Sequence, residues 1–114
     1  VTAKPIVPRQ SARGDVENAV DYYAHTAGAQ IAIGFIDALQ STYTLIAERP
    51  ASGSLRYAYE LGLLDLRCTT IRGFPYVIFY LERADHVDVW RVLHAKQDIP
   101  AWLQGSEASD QLRI

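Results

Sequence analysis

Arg91, His94 and Lys96 stand three and two residues apart at the end of a β-branched run, R-V-L-H-A-K. An imidazole titrates close to neutral pH, so His94 could move a proton while the neighbouring cations hold an anion. Arg67, on an earlier alternating run, is a further cation that a sheet could bring to the same edge. The alternative is structural. His94 then closes a strand end by bonding to backbone, and Arg91 pairs with an acid such as Asp65, Asp88 or Asp98. An exposed ion pair contributes only about 0–1 kcal/mol, so stability alone is a weak reason for the arginine. Arg67, Arg91, His94 and Lys96 are therefore carried forward as contact candidates.

The other chemistry-bearing side chains are weaker signals. Tyr57 and Tyr59 are candidate contact residues, while Tyr22, Tyr23, Tyr76 and Tyr80 read as half-buried packing residues with wet hydroxyls. His25 and His86 are single turn residues without a metal-ligand pattern. Cys68 is the sole cysteine. This excludes an internal disulfide, leaves no thiol-rich zinc motif, and fits an intracellular, reducing setting. It reads as a small buried apolar residue. Gly-rich phosphate loops, nucleophile elbows and zinc spacings are absent, so no metal and no cofactor is expected. A formal charge of −2 argues against a chain whose main task is gripping a phosphate backbone. No apolar run approaches the roughly 18 residues of a membrane span, and the N-terminal residues lack a signal-peptide layout.

The elements that must position these groups follow from periodicity. Thr2 to Pro8 reads as a short strand, confined to an edge because Pro5 and Pro8 remove ladder donors. Ser11 is an N-cap candidate. Ala12, Val16, Ala19, Val20, Tyr23 and Ala27 then form one helical stripe. Asp15, Glu17 and Asp21 are placed near that helix's positive end. Gly28 is a joint. A second helix spans about Ala29 to Glu48, with Ile31, Phe35, Leu39, Thr42 and Ile46 on one face, and Pro50 stops it. Leu64 to Thr70 alternates with period two. Pro75 to Tyr80 is nearly continuous in apolar residues, as expected of a central strand covered on both faces. Arg83–His86 is a turn, Val87 to His94 is a last strand, and Ile99 to Leu103 forms one helical turn. The fold class is α+β with order β-α-α-β-β-β. A helical hairpin packs on one face of a small, mainly antiparallel sheet. Residues 1–105 form a single domain and 106–114 a polar tail.

The order of these landmarks resembles ParE-type toxins of the ParE/RelE superfamily, the toxic half of type II toxin–antitoxin pairs. The residues that carry the likeness are R-G-D-V-E-N-A-V-D-Y-Y in the first helix, F-I-D-A-L and L-I-A-E-R-P-A-S-G around the second, Leu66-Arg67, P-Y-V-I-F-Y at Pro75–Tyr80, and R-V-L-H-A-K-Q-D at Arg91–Asp98. Each motif alone is weak; their order and separation are specific. The resemblance implies a RelE/ParE-like fold and a cytoplasmic protein neutralised by a ParD-like antitoxin in a heteromeric complex. For ParE members it implies inhibition of DNA gyrase, which blocks replication. For RelE members it implies ribosome-dependent cleavage of messenger RNA, the alternative function here.

Cleavage of that kind needs a base for the 2′-hydroxyl, cations at the phosphate and an acid for the leaving oxygen. The arginine that RelE-like nucleases tend to place before the central strand is missing from Phe74-Pro75-Tyr76-Val77, and the segment after Pro100 offers Trp102 and little else. The departure favours a non-enzymatic toxin over the nuclease; a non-toxic binding module that kept the fold is a third reading. A flexible antitoxin segment would dock by strand addition or helix-in-groove packing. The expected groove is apolar, with Val20, Tyr23, Phe35 and Leu39 at its margins and Leu64 and Tyr80 from the strands.

Overall fold

A computed structural model describes residues 3–97 and 99–103. β1 (Ile6–Pro8) leads into α1 (Gln10–Thr26) and α2 (Ala29–Glu48); a 3-10 turn at Pro50–Ser52 and a short α3 (Arg56–Leu61) precede β2 (Arg67–Thr70), β3 (Tyr76–Glu82) and β4 (Val87–His94). The sheet order is β1-β4-β3-β2. β2, β3 and β4 are antiparallel neighbours, and β1 lies parallel to β4 at one edge. The proline-containing strand thus takes the edge position that its missing donors require.

Gly28 adopts φ +99°, a conformation that disfavours L side chains, so the helical hairpin reverses there. α2 ends at Glu48, just ahead of Pro50. Both boundaries agree with the expectation, but the start of α1 does not. Arg9 is the boundary residue and makes no side-chain cap. Ser11 instead lies in the first turn and donates to the Trp90 carbonyl at 3.2 Å. None of the three carboxylates reaches the first turn, so the dipole does not explain them. The alternating run before β2 is also shorter than expected. Leu63–Leu66 forms a turn, closed by the Leu66 N–H on the Leu63 carbonyl, with Asp65 at φ +68°. α3 was missed, because six residues show too little periodicity to separate a helix from a loop.

The sheet carries a core on each face. Tyr76, Ile78 and Tyr80 of β3 meet Phe35, Leu39 and Ile46 of α2 beneath the hairpin. Val77, Phe79 and Leu81 face the other way, onto Ala58 of α3, Leu66 and the helical turn at 99–103, where Ile99 and Leu103 are buried. Both faces of β3 and β4 are therefore covered, one by the hairpin and the other by α3 and the 99–103 turn. Each fully buried Phe, Ile or Leu contributes roughly 1.5–3 kcal/mol. Between Phe79↔Arg91 and Tyr80↔Val89 the pairing skips Trp90, so β4 carries an extra residue at that point. This β-bulge shifts the phase: Val87 and Val89 point at the hairpin, and the next residue to do so is Val92.

Candidate functional site

The bulge explains what Arg91 does. Its guanidinium makes a two-pronged ion pair with Asp15 of α1, Nε to Oδ2 at 2.7 Å and Nη2 to Oδ1 at 2.6 Å. The Val92 N–H also donates to Asp15 Oδ2, at 3.0 Å. One carboxylate thus serves an arginine and a strand amide together. Trp102 lies over the guanidinium, 5.0 Å from it to the ring centroid. Arg91 is 9% exposed. Its partner among the described residues is Asp15; of the acids proposed from sequence, Asp65 is exposed in its turn and Asp88 is engaged elsewhere, while Asp98 lies outside the described residues.

His94 ends β4, with its ring edge-on to Tyr76 at 5.1 Å. Its Nδ1 accepts the Lys96 backbone N–H at 3.0 Å, and its own N–H donates to Gln97 Oε1 at 2.7 Å. An Nδ1 that accepts cannot carry a proton, so the neutral ring holds its hydrogen on Nε2. The imidazole therefore fastens a turn. Lys96 is exposed beside it. Arg67 is on β2, separated from β4 by β3, and donates to the Gly53 carbonyl at 2.8 Å. The four candidates do not converge on one point.

Asp88 sits between Arg9 and Arg83. Arg9 binds both its oxygens at 2.9 Å, and Arg83 reaches Oδ2 at 2.9 Å. Burial pushes the Asp88 carboxyl up, but the two arginines outweigh it and hold the group below the usual carboxylate range. Tyr43 is driven to about 12 by burial and by the Asp15 charge. Burial likewise raises the Cys68 thiol, against the opposing pull of Arg56 and Ser54, so it stays protonated at neutral pH and is a poor nucleophile. Among the described residues, no group of three or more His, Cys, Asp or Glu is placed to hold a metal ion. No helix among them is long and apolar enough to cross a membrane.

The remaining candidates separate by exposure. Tyr59 and Leu64 are 81% and 78% exposed. Tyr57 is half-buried against Phe79, and its ring carries the Arg56 guanidinium at 5.3 Å. It borders a cleft of about 550 Å³ with Ser54, Cys68, Thr70, Val77 and Ile99. Val20 and Leu39 do line a groove, of about 610 Å³, between α1 and α2 with Val16, Ile36 and Tyr43. Phe35 and Tyr80 are fully buried, so neither offers a surface. Tyr23 packs among Phe35, Phe74 and Tyr76. The Tyr80 hydroxyl accepts the Gly53 N–H at 3.0 Å and donates to the Pro50 carbonyl at 2.7 Å. A Cβ at position 53 would collide with that hydroxyl, which accounts for the glycine of P-A-S-G. The groove is therefore built by the helices alone, and Leu64 is a separate exposed residue. Sequence reading missed the roles of Asp15 and Arg9. Both lack a local signal, because their partners lie 76 and 79 positions away.

One family model, described as the ParE toxin of the type II toxin–antitoxin system parDE, matches residues 6–99. No curated protein matches the chain. Among solved structures, one titled "Chromosomal ParDE TA system from P. aeruginosa" is similar, with a TM-score of 0.67 and 13% identity, covering 81% of this chain and 96% of that one. At that identity the likeness speaks to fold alone.

Proposed function

The chain belongs to the ParE toxin family of type II toxin–antitoxin systems, and from that premise we propose that it acts in the cytoplasm by binding and inhibiting DNA gyrase, until a ParD-like antitoxin neutralises it. The observation that supports binding over bond-making is the commitment of the basic side chains to the fold. Arg91 is held by Asp15, and His94 Nδ1 accepts a backbone N–H. A ribonuclease would need such groups turned towards a substrate as base and charge stabiliser. Tyr59, Leu64 and Lys96 are exposed and Tyr57 is half-buried; these are the contact candidates for the target, whereas Arg67 is engaged by the Gly53 carbonyl. The α1–α2 groove supports helix-in-groove capture of the antitoxin. Its floor is apolar and its rim carries Glu17 and Asp21, which suits an amphipathic helix flanked by cations.

Induction of the toxin in a bacterium tests the reading. Filamentous cells with DNA-damage signalling and intact messenger RNA are expected, together with loss of supercoiling by purified gyrase. Rapid message cleavage would favour the RelE-type alternative. Normal growth with verified expression would favour a non-toxic module. Co-expression with the adjacent gene should give a single co-eluting complex on gel filtration.

A further inference from the structure

The run L-G-L-L-D-L at Leu61–Leu66 holds four leucines, and the core takes up three of them. Leu66 is buried on the sheet's second face, and Leu61 and Leu63 are half-buried against it. Leu64 is 78% exposed, and Tyr59, in the last turn of α3, is 81% exposed. These are the two most open large apolar side chains among the described residues. The backbone holds both outward. α3 ends at Gly62, with φ +66°; the Gly62 N–H closes on the Tyr59 carbonyl at 3.4 Å and the Leu63 N–H on the Ala58 carbonyl at 3.0 Å. A second turn follows at once. The Leu66 N–H closes on the Leu63 carbonyl at 3.1 Å, and Asp65 takes φ +68° inside it. Leu64 and Asp65 are thus the middle of a turn whose ends, Leu63 and Leu66, are pinned to the core. Glu60 and Asp65 follow the two open side chains directly in the chain. Both carboxylates are exposed, and neither joins an ion pair among the described residues.

We propose that the turn from Tyr59 to Asp65 is the part of this chain that engages the target, with Leu64 and Tyr59 entering an apolar hollow rimmed by cations on a protein that itself grips DNA. This rests on the gyrase reading above and deepens it, by naming the contacting element and the chemistry of the surface that receives it. Folding gains nothing from an apolar side chain left almost wholly in water, whereas an interface gains from one already held in place. Tyrosine is among the side chains that most often anchor an interface. Side chains this open protrude, so the surface that receives them is concave. Glu60 and Asp65 decide the charge of that surface. They repel a nucleic acid and favour a cationic rim, of the kind that lines the surfaces by which an enzyme holds a phosphate backbone. The bases on either side in sequence are directed elsewhere: Arg56 lies over the Tyr57 ring, and Arg67 donates to the Gly53 carbonyl. Pairing this turn with its own copy would bring both sets of carboxylates together, which disfavours a second copy as occupant. The groove assigned to the antitoxin lies between α1 and α2, whereas Leu63 and Leu66 hold this turn to the core on the sheet's other face. The two sites are therefore separate.

Binding of the full chain to purified gyrase, measured together with inhibition of supercoiling, tests this. Leu64→Ser and Tyr59→Ser should each weaken binding and inhibition at least about tenfold, the effect of losing an interface anchor. Both should keep the parent's thermal midpoint and its antitoxin affinity, because neither side chain belongs to a core. Glu60→Gln combined with Asp65→Asn should weaken binding and make it less sensitive to added salt. If the parent binds gyrase and both serine variants bind it equally well, the turn is not the contact, and the gyrase reading stands without it. A salt dependence that the neutral pair leaves unchanged would overturn the cationic rim. Loss of antitoxin affinity in Leu64→Ser, with gyrase binding intact, would overturn the inference and assign the turn to the antitoxin. Self-association of the parent that Leu64→Ser abolishes, again with gyrase binding intact, would overturn it in favour of a second copy. A parent chain that binds no gyrase would remove the gyrase reading and this inference together.

Discussion

Asp15→Ala is the substitution whose cost the structure determines most directly. It removes the carboxylate that takes two N–H bonds from Arg91 and one from Val92. The two side chains of the pair are 10% and 12% exposed, so water offers little compensation. Breaking a buried pair from one side costs about 3–5 kcal/mol. The lower end applies here, because the guanidinium also stacks on Trp102. About 3 kcal/mol should lower the thermal midpoint by roughly 10–20 °C in a domain of this size. Asp15→Asn retains an oxygen for Val92 and should lose less. Pairing Asp15→Ala with Arg91→Met removes both charges and should recover all but about 1 kcal/mol, the residue being the strand amide left without its acceptor. Urea titration of the four proteins, followed by circular dichroism, closes the cycle. A coupling energy of at least about 2 kcal/mol is expected, larger by the cost of Arg91→Met alone. If Asp15→Ala costs under 1 kcal/mol, or costs the same in the Arg91→Met background, the pair does not fasten α1 to the sheet and Arg91 returns to the contact candidates.

Three other expectations concern fastenings elsewhere. The Asp88 carboxyl lies below its ordinary value in the fold, so its contribution to stability is complete above the unfolded pKa of about 3.9 and is lost as the pH falls towards the folded value; urea midpoints should fall over that acid range in the parent and fall less in Asp88→Asn. Tyr80→Phe removes the acceptor of the Gly53 N–H and the donor to Pro50, and should cost about 1–3 kcal/mol; limited proteolysis should show faster cutting between Pro50 and Arg56, whereas an unchanged rate would mean another group holds that segment. Gly28→Ala forces an L side chain to φ +99°, ψ +166° with open space around it, so the cost is backbone strain alone, roughly 1–3 kcal/mol; a neutral or stabilising result on thermal melting would show that the hairpin joint relaxes.

The helical hairpin and the two long strands were legible because their signals are local. Gly28 and Pro50 bracket α2 whatever surrounds it, and an unbroken apolar run such as Tyr76-Val77-Ile78-Phe79-Tyr80 belongs inside a sheet. α3 was not legible: R-Y-A-Y-E-L is too short to show a helical period, and Ala58 counts as core only once it meets the sheet's second face. The site was the least legible part. Arg67, Arg91, His94 and Lys96 look alike as basic residues near strands. Their backbone and carboxylate partners separate those that fasten the fold from exposed Lys96.

The amino-acid order alone specified a β-α-α-β-β-β chain, the reversal at Gly28, the proline-blocked edge strand and a family likeness, since each depends on residues a few positions apart. Only the folded chain brought Asp15 to Arg91 and Arg9 to Asp88, across 76 and 79 positions. It also placed the extra residue of β4 at Trp90 and ended β1 early enough to leave three backbone groups of β4 capped by side chains. Such outcomes depend on which buried amides and charges remain to be satisfied after the layers have packed, a condition that no short stretch of sequence contains.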